Sequence, residues 1–162
     1  HMNPIELSLS FFALIAASAL LPGCASTKSP GEITKVKYYH LTSDTSDQAA
    51  VDPMVRFERR YYLHGQVTLE EQKDQFGSYY TVFWKATNRS EPAVLRFEYT
   101  QQSTGPDILT RDYPVGEIKR SNITRFAVGG DDIEAAGRIT SWKISLLQAD
   151  EVVATSESFL WD

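Results

Sequence analysis

The feature that most limits how this chain can fold is an alternation of apolar and polar side chains with a period of two residues, which dominates from Met54 onward. Successive side chains of a β-strand point to opposite faces of a sheet, so the alternation predicts strands with one buried face. We predict seven strands, at residues 55–69, 79–88, 93–101, 107–113, 122–128, 138–147 and 151–161. Short strands separated by turns predict an all-β fold, a sandwich of two sheets, with an open barrel as the alternative.

The first of these segments carries the clearest alternation. In VRFERRYYLHGQVTL the odd-numbered positions are apolar except at Arg59, and the even-numbered positions are mostly polar, which predicts one long strand. The pattern then breaks, and Thr68 and Glu71 have the spacing of a capping box. With Gly77 as the residue after its end, we predict one short helix at 69–76. A tight turn at 148–151 should join the last two strands.

The only cysteine of the chain, Cys24, follows an uncharged apolar run. The run LSLSFFALIAASALL covers fifteen residues, which is shorter than the roughly 20 residues that span a bilayer and typical of the core of a secretory signal peptide. Leu21-Pro22-Gly23-Cys24 resembles the lipobox of bacterial lipoproteins. That resemblance implies cleavage before Cys24, lipidation of Cys24 and, with Ala25 following, an outer-membrane destination. A buried or interchain thiol is the alternative.

Three regions follow from these signals. Residues 1–23 are the predicted signal peptide, 24–52 the lipidated cysteine with a flexible tether, and 53–162 the β-sandwich domain. As a tether, residues 25–52 would reach about 30 Å as a random coil and at most about 90 Å when extended. Within the tether, ITKVKYYHL at residues 33–41 is rich in β-forming residues and indicates an isolated strand.

The predicted domain resembles the immunoglobulin and fibronectin type III class. Trp84 on an early core strand and Trp142 on the penultimate strand carry that resemblance. The chain lacks the second cysteine of an intersheet disulfide, and GGDDIEAAG stands where the class has a tyrosine corner. The resemblance implies a seven-stranded sandwich without assigning a family.

Exposed aromatic residues are the first candidates for a binding surface. Six of the eight tyrosines occur in adjacent pairs, at 38–39, 61–62 and 79–80, and adjacent strand residues point to opposite faces. With one tyrosine of each pair in the core, Tyr62 and Tyr79 should be exposed for contact with a protein or a sugar. A half-buried cross-strand pair is the alternative. Trp161, near the end of the chain, either fixes the last strand or contacts a partner.

The acidic loop GGDDIEAAG offers candidate oxygen ligands for Ca²⁺ in Asp131, Asp132 and Glu134. The three lack the spaced pattern of a calcium loop, so the alternative is a solvated turn in which Asp131 caps a helical turn that ends at Gly137. Only His40 and His64 remain as histidines after residue 23, too few for a zinc site. We expect no metal and no cofactor.

The net charge of −5 argues against a nucleic-acid partner, which would favour a basic face. No catalytic motif is present, so we expect a non-catalytic module rather than an enzyme. The sequence therefore predicts a lipid-anchored envelope protein that binds a protein partner and no small molecule. A carbohydrate-binding lipoprotein and an enzyme with a site assembled from distant residues are the alternatives.

Overall fold

Two antiparallel sheets face each other in the computed structural model, which describes residues 29–42 and 52–161. Sheet A has the strand order β1-β2-β5, and sheet B has the order β4-β3-β6-β7. The strands are β1 Gly31–Leu41, β2 Gly77–Ala86, β3 Ala93–Gln101, β4 Leu109–Val115, β5 Asn122–Gly129, β6 Ile139–Gln148 and β7 Glu151–Glu157. The prediction of an all-β sandwich is confirmed.

Three short helices accompany the strands rather than the one that was predicted. They are α1 Pro53–Tyr62, α2 Leu69–Asp74 and α3 Asp131–Ala136. The capping box of α2 forms as predicted, with the Thr68 hydroxyl accepting from the Glu71 amide and the Glu71 carboxylate accepting from the Thr68 amide. The predicted tight turn between the last two strands also forms, with Ala149 and Asp150 both at positive φ, as a two-residue hairpin turn favours.

The long strand predicted at 55–69 is wrong, because α1 begins there. The Asp52 carboxylate accepts a hydrogen bond of 2.8 Å from the Met54 amide, and Pro53 occupies the first turn of the helix. Both residues favour a helix start. The apolar residues also recur at Met54, Phe57 and Tyr61, which is a helical spacing that the period-two reading overlooked.

The first strand of the sandwich lies within the segment that was assigned to the tether. β1 pairs with β2 from Gly31 opposite Ala86 to Leu41 opposite Gly77, with one register shift at Thr34. The strand-forming residues at 33–41 are therefore part of sheet A, and the prediction that the tether continues to residue 52 is wrong over β1. Cys24 and residues 1–23 lie outside the described residues.

Alternate side chains of both sheets form one core. Sheet A contributes Tyr80, Val82, Trp84, Phe126 and Val128, and sheet B contributes Leu95, Phe97, Tyr99, Ile144 and Leu146. Aromatic rings bridge the sheets, since the Phe97 ring lies 4.7 Å from the rings of both Tyr80 and Phe126. Trp84 is buried as expected and donates from Nε1 to the Thr124 hydroxyl at 3.0 Å, whereas Trp142 is only partly buried.

Candidate functional site

The connection between β1 and β2 carries α1 back across the outer face of sheet A. The Arg59 guanidinium donates to the Thr42 carbonyl oxygen at 3.2 Å, which ties the helix to the end of β1. On the same side, the Tyr62 ring packs between two tyrosines of the sheet. Its ring centre lies 3.9 Å from that of Tyr79 and 5.6 Å from that of Tyr39, and both pairs are stacked.

Tyr62 and Tyr79 are therefore not the exposed sheet residues that the sequence predicted. Both are half-buried, Tyr62 lies on a helix, and their rings cover each other. The Tyr79 hydroxyl donates to the Gln75 carbonyl oxygen. Burial raises the pKa of both phenols, with Glu58 adding to the rise at Tyr62. The stack holds α1 on the sheet and leaves neither ring as a flat platform for a sugar.

The exposed side of α1 carries three large apolar side chains beside the exposed Arg56 and Arg60. Met54, Phe57 and Tyr61 are each about 60% exposed and follow one another at helical spacing. Phe57 and Tyr61 line an open cleft of about 550 Å³ together with Arg60 and His64. The sequence reading assigned Phe57 and Tyr61 to a buried strand face, so it missed this surface. The Asp52-Pro53 helix start is the signal that would have exposed the error.

Trp161 lies in a second cleft near the end of the chain. It is half-buried, and its amide donates to the Ser158 carbonyl oxygen at 3.0 Å. The cleft is also lined by Ile108 and Leu160. The neighbouring Phe159 is 98% exposed, so apolar surface continues beyond the cleft. β7 ends at Glu157, and Trp161 follows the strand rather than closing it.

Exposed apolar side chains concentrate at one end of the sandwich. We call the end of the sandwich where β1 begins the Gly31 end. The opposite end is called the helical end, because the β1–β2 connection there carries α1 and α2. Eleven large hydrophobic side chains are exposed among the described residues. Eight belong to the β1–β2 connection, the start of β4 or the segment after β7, all at the helical end: Met54, Phe57, Tyr61, Val67, Ile108, Leu109, Phe159 and Leu160.

The acidic loop forms α3. Gly130 occupies its N-cap without a side-chain hydrogen bond, so the prediction that Asp131 caps the turn is wrong, and Gly137 ends the helix as expected. Asp132 pairs with the Arg111 guanidinium across the sandwich edge. Asp131, Asp132 and Glu134 do not converge, and no group of three acidic, histidine or cysteine side chains able to hold a metal is found among the described residues.

One hydrogen bond joins a base to a potential nucleophile. His40 Nδ1 lies 3.1 Å from the Ser78 hydroxyl. Burial, followed by the charge of Arg138, lowers the pKa of His40. Ser78 has no exposed surface, so its hydroxyl does not face a cleft that a substrate could enter. The pair joins β1 to β2 as a structural contact.

Comparisons with known proteins found no relative of this chain. No protein-family model, no curated protein and no solved structure matches the chain. Within the described ranges 29–42 and 52–161, no helix is long and apolar enough to cross a membrane.

Proposed function

We propose that the protein is a lipid-anchored component of the bacterial envelope, held at the outer membrane through Cys24, and that it acts as a non-catalytic module binding a protein partner. The observation that carries the second part is the concentration of exposed apolar side chains at the helical end. Exposed aromatic residues and methionine support a protein interface, because the centres of such interfaces are enriched in these residue types.

The direction of β1 supports a domain with one end near the membrane and the opposite end free to bind a partner. Gly31, seven positions after Cys24 in the sequence, begins β1, which runs for 11 residues to Leu41 at the helical end. At about 3.3 Å per residue the strand spans roughly 35 Å. A lipid on Cys24 would therefore hold the Gly31 end near the bilayer and present the apolar surface of α1 away from it.

The sandwich fits the immunoglobulin and fibronectin type III class that we propose for it. In constant-type immunoglobulin domains the first, second and fifth strands are neighbours in one sheet, and the third, sixth and seventh in the other. Both sets of neighbours occur here, and the fourth strand pairs with the third instead of the fifth. Domains of this architecture commonly serve as binding modules on cell surfaces.

The anchor is tested by the intact mass of the protein from the membrane fraction of a bacterium expressing the chain, beside Cys24→Ala. A mass matching a chain that starts at Cys24 with added acyl groups supports the proposal, provided that Cys24→Ala is soluble or unprocessed. A soluble, unacylated wild type would refute it.

The binding surface is tested by a photocrosslinking amino acid placed at position 57 or at position 152. Phe57 and Val152 are similarly exposed, at 62% and 57%, but Val152 lies near the Gly31 end. We expect a protein adduct of defined mass from position 57 in intact cells, and none from position 152. Equal adducts at both positions, or none at either, would contradict the proposed surface.

A further inference from the structure

Three cationic side chains surround a cleft at the Gly31 end. Lys85 comes from the end of β2, Arg89 from the turn that follows it, and Arg120 from the loop before β5. All three are exposed, and none forms a salt bridge with another described residue. The cleft holds about 560 Å³, and Glu32 is the one carboxylate that lines it.

The first described residues of the chain lie at the same cleft. Ser29 and Gly31 line its wall, so the chain passes beside the three cations as it enters β1. Five residue steps separate Cys24 from Ser29. At about 3.5 Å per residue, covalent geometry limits that distance to about 18 Å, far less than the reach of the predicted 28-residue tether.

We propose that Lys85, Arg89 and Arg120 contact the phosphate groups of anionic lipids in the bilayer that holds Cys24. The inference rests on the proposed anchor, and it adds an orientation, with the Gly31 end seated on the headgroups. Guanidinium groups bind phosphate in a bidentate geometry, and lysine binds it as a point charge. Attraction to an anionic surface acts within a Debye length of about 10 Å, which the short connection permits.

The remaining charges of the molecule strengthen the preference for this orientation on the bilayer. The chain carries a net charge of −5, so an anionic bilayer repels the chain as a whole. The Gly31 end also carries acidic residues, since Asp150 and Glu151 lie there in the β6–β7 turn of sheet B, whereas the cations lie at the end of sheet A beside the start of β1. At this end, an orientation that turns the cationic cleft rather than the β6–β7 turn to the lipid brings attraction at short range.

The test attaches the full chain to vesicles through its only cysteine, using a lipid with a maleimide headgroup, so that the result does not depend on acylation in cells. A photocrosslinking amino acid replaces Ser121, next to Arg120, or Ser103, which lies at the helical end. Crosslinking to lipid is read by mass on vesicles of phosphatidylcholine alone or mixed with phosphatidylglycerol.

We expect lipid adducts from position 121 on the phosphatidylglycerol vesicles and few from position 103. Each cation near the surface contributes about five-fold, so Lys85→Gln/Arg89→Gln/Arg120→Gln should lower the ratio of lipid-contacting to solvent-facing orientations on the order of 100-fold. The matched triple variant Arg60→Gln/Lys73→Gln/Arg138→Gln removes the same charge elsewhere and should keep the contact.

Equal loss in the two triple variants, or equal adducts from positions 121 and 103, would overturn the proposal. Loss of the position 121 adduct on adding inorganic phosphate at constant ionic strength would also overturn it, by showing that the cleft prefers the free anion. These outcomes stand apart from failure of the anchor, which the mass of the cellular protein reports by itself.

Discussion

Replacing Tyr62 with alanine should release α1 from sheet A. The side chain is half-buried and stacks on Tyr79 at 3.9 Å. An aromatic side chain buries about 150–250 Å² in full, so half-burial removes about 100 Å² from water, worth about 2.5 kcal/mol. The stacked pair adds about 0.5–1.5 kcal/mol. We expect the docking of α1 to weaken by about 3 kcal/mol.

Because α1 can detach while the two sheets stay paired, amide hydrogen exchange is the informative assay. Opening that is easier by 3 kcal/mol accelerates exchange by roughly 100-fold. We expect this acceleration for the amides of α1, and a smaller change for those of β3, whose Phe97 lies in the core away from the helix. Urea unfolding then separates local release from global loss of stability.

Tyr61→Ala is the matched control. It removes the same side chain from the same helix at a position 58% exposed, where the ring makes only an edge contact with Tyr62. We expect it to change the docking free energy by under about 1 kcal/mol. If Tyr61→Ala and Tyr62→Ala accelerate exchange equally, or if Tyr62→Ala does not, the argument that the tyrosine stack holds the helix is refuted. A double-mutant cycle of Tyr62 with Tyr79 should give a coupling of about 1 kcal/mol.

Three other predictions concern global stability, each measured by urea unfolding. Gly77→Ala should destabilise the protein by about 2 kcal/mol or more, because the new Cβ would lie 2.5 Å from the Val128 carbonyl oxygen. Gly116→Ala is the control, since no atom lies within 4 Å of its Cβ, and it should change stability by under about 1 kcal/mol. Equal effects of the two substitutions would contradict this reasoning. Folding lowers the pKa of His40, so its contribution to the free energy of unfolding is present above pH 6.5 and is lost as the pH falls through the folded pKa. His40→Gln should therefore reduce the fall in stability over that acidic range. An unchanged dependence of stability on pH would contradict this prediction. Stability should also fall above pH 10, because burial raises the phenol pKa of several tyrosines and the unfolded chain ionises first; a flat alkaline profile would be inconsistent with the burial of Tyr62, Tyr79, Tyr80, Tyr99 and Tyr113.

The sequence predicted a strand at each of β2 to β7, most clearly at β2 and β3, where burial alternates because one face lies in the shared core. β6 differs, because all residues from Ile144 to Gln148 are buried. In β3 the burial alternates at every residue from Ala93 to Gln101, as the pattern requires. Capping chemistry is similarly local, and the capping box of α2 forms between residues only three apart. These features depend on neighbouring residues, which a single sequence displays directly.

The errors come from segments where the local pattern is ambiguous. Residues 54–62 satisfy a helical spacing as well as a period of two, and the arginines on both faces of the predicted strand give neither reading an advantage. β1 was separated from the domain by its polar neighbours, although its pairing with β2 is set by residues 36 to 55 positions away. Long-range pairing of this kind leaves no signal in the composition of one segment.

The position of β1 changes what a lipid on Cys24 would do to the molecule. With a tether extending to residue 52, the domain would sample all orientations in a layer tens of ångströms deep. With folding from Gly31, a lipid on Cys24 would lie within about 18 Å of Ser29, at the end that carries the Lys85, Arg89 and Arg120 cleft. The eight exposed hydrophobic side chains of the helical end would then face away from the bilayer, roughly 35 Å along β1. Attachment would thus fix which surface a partner can reach.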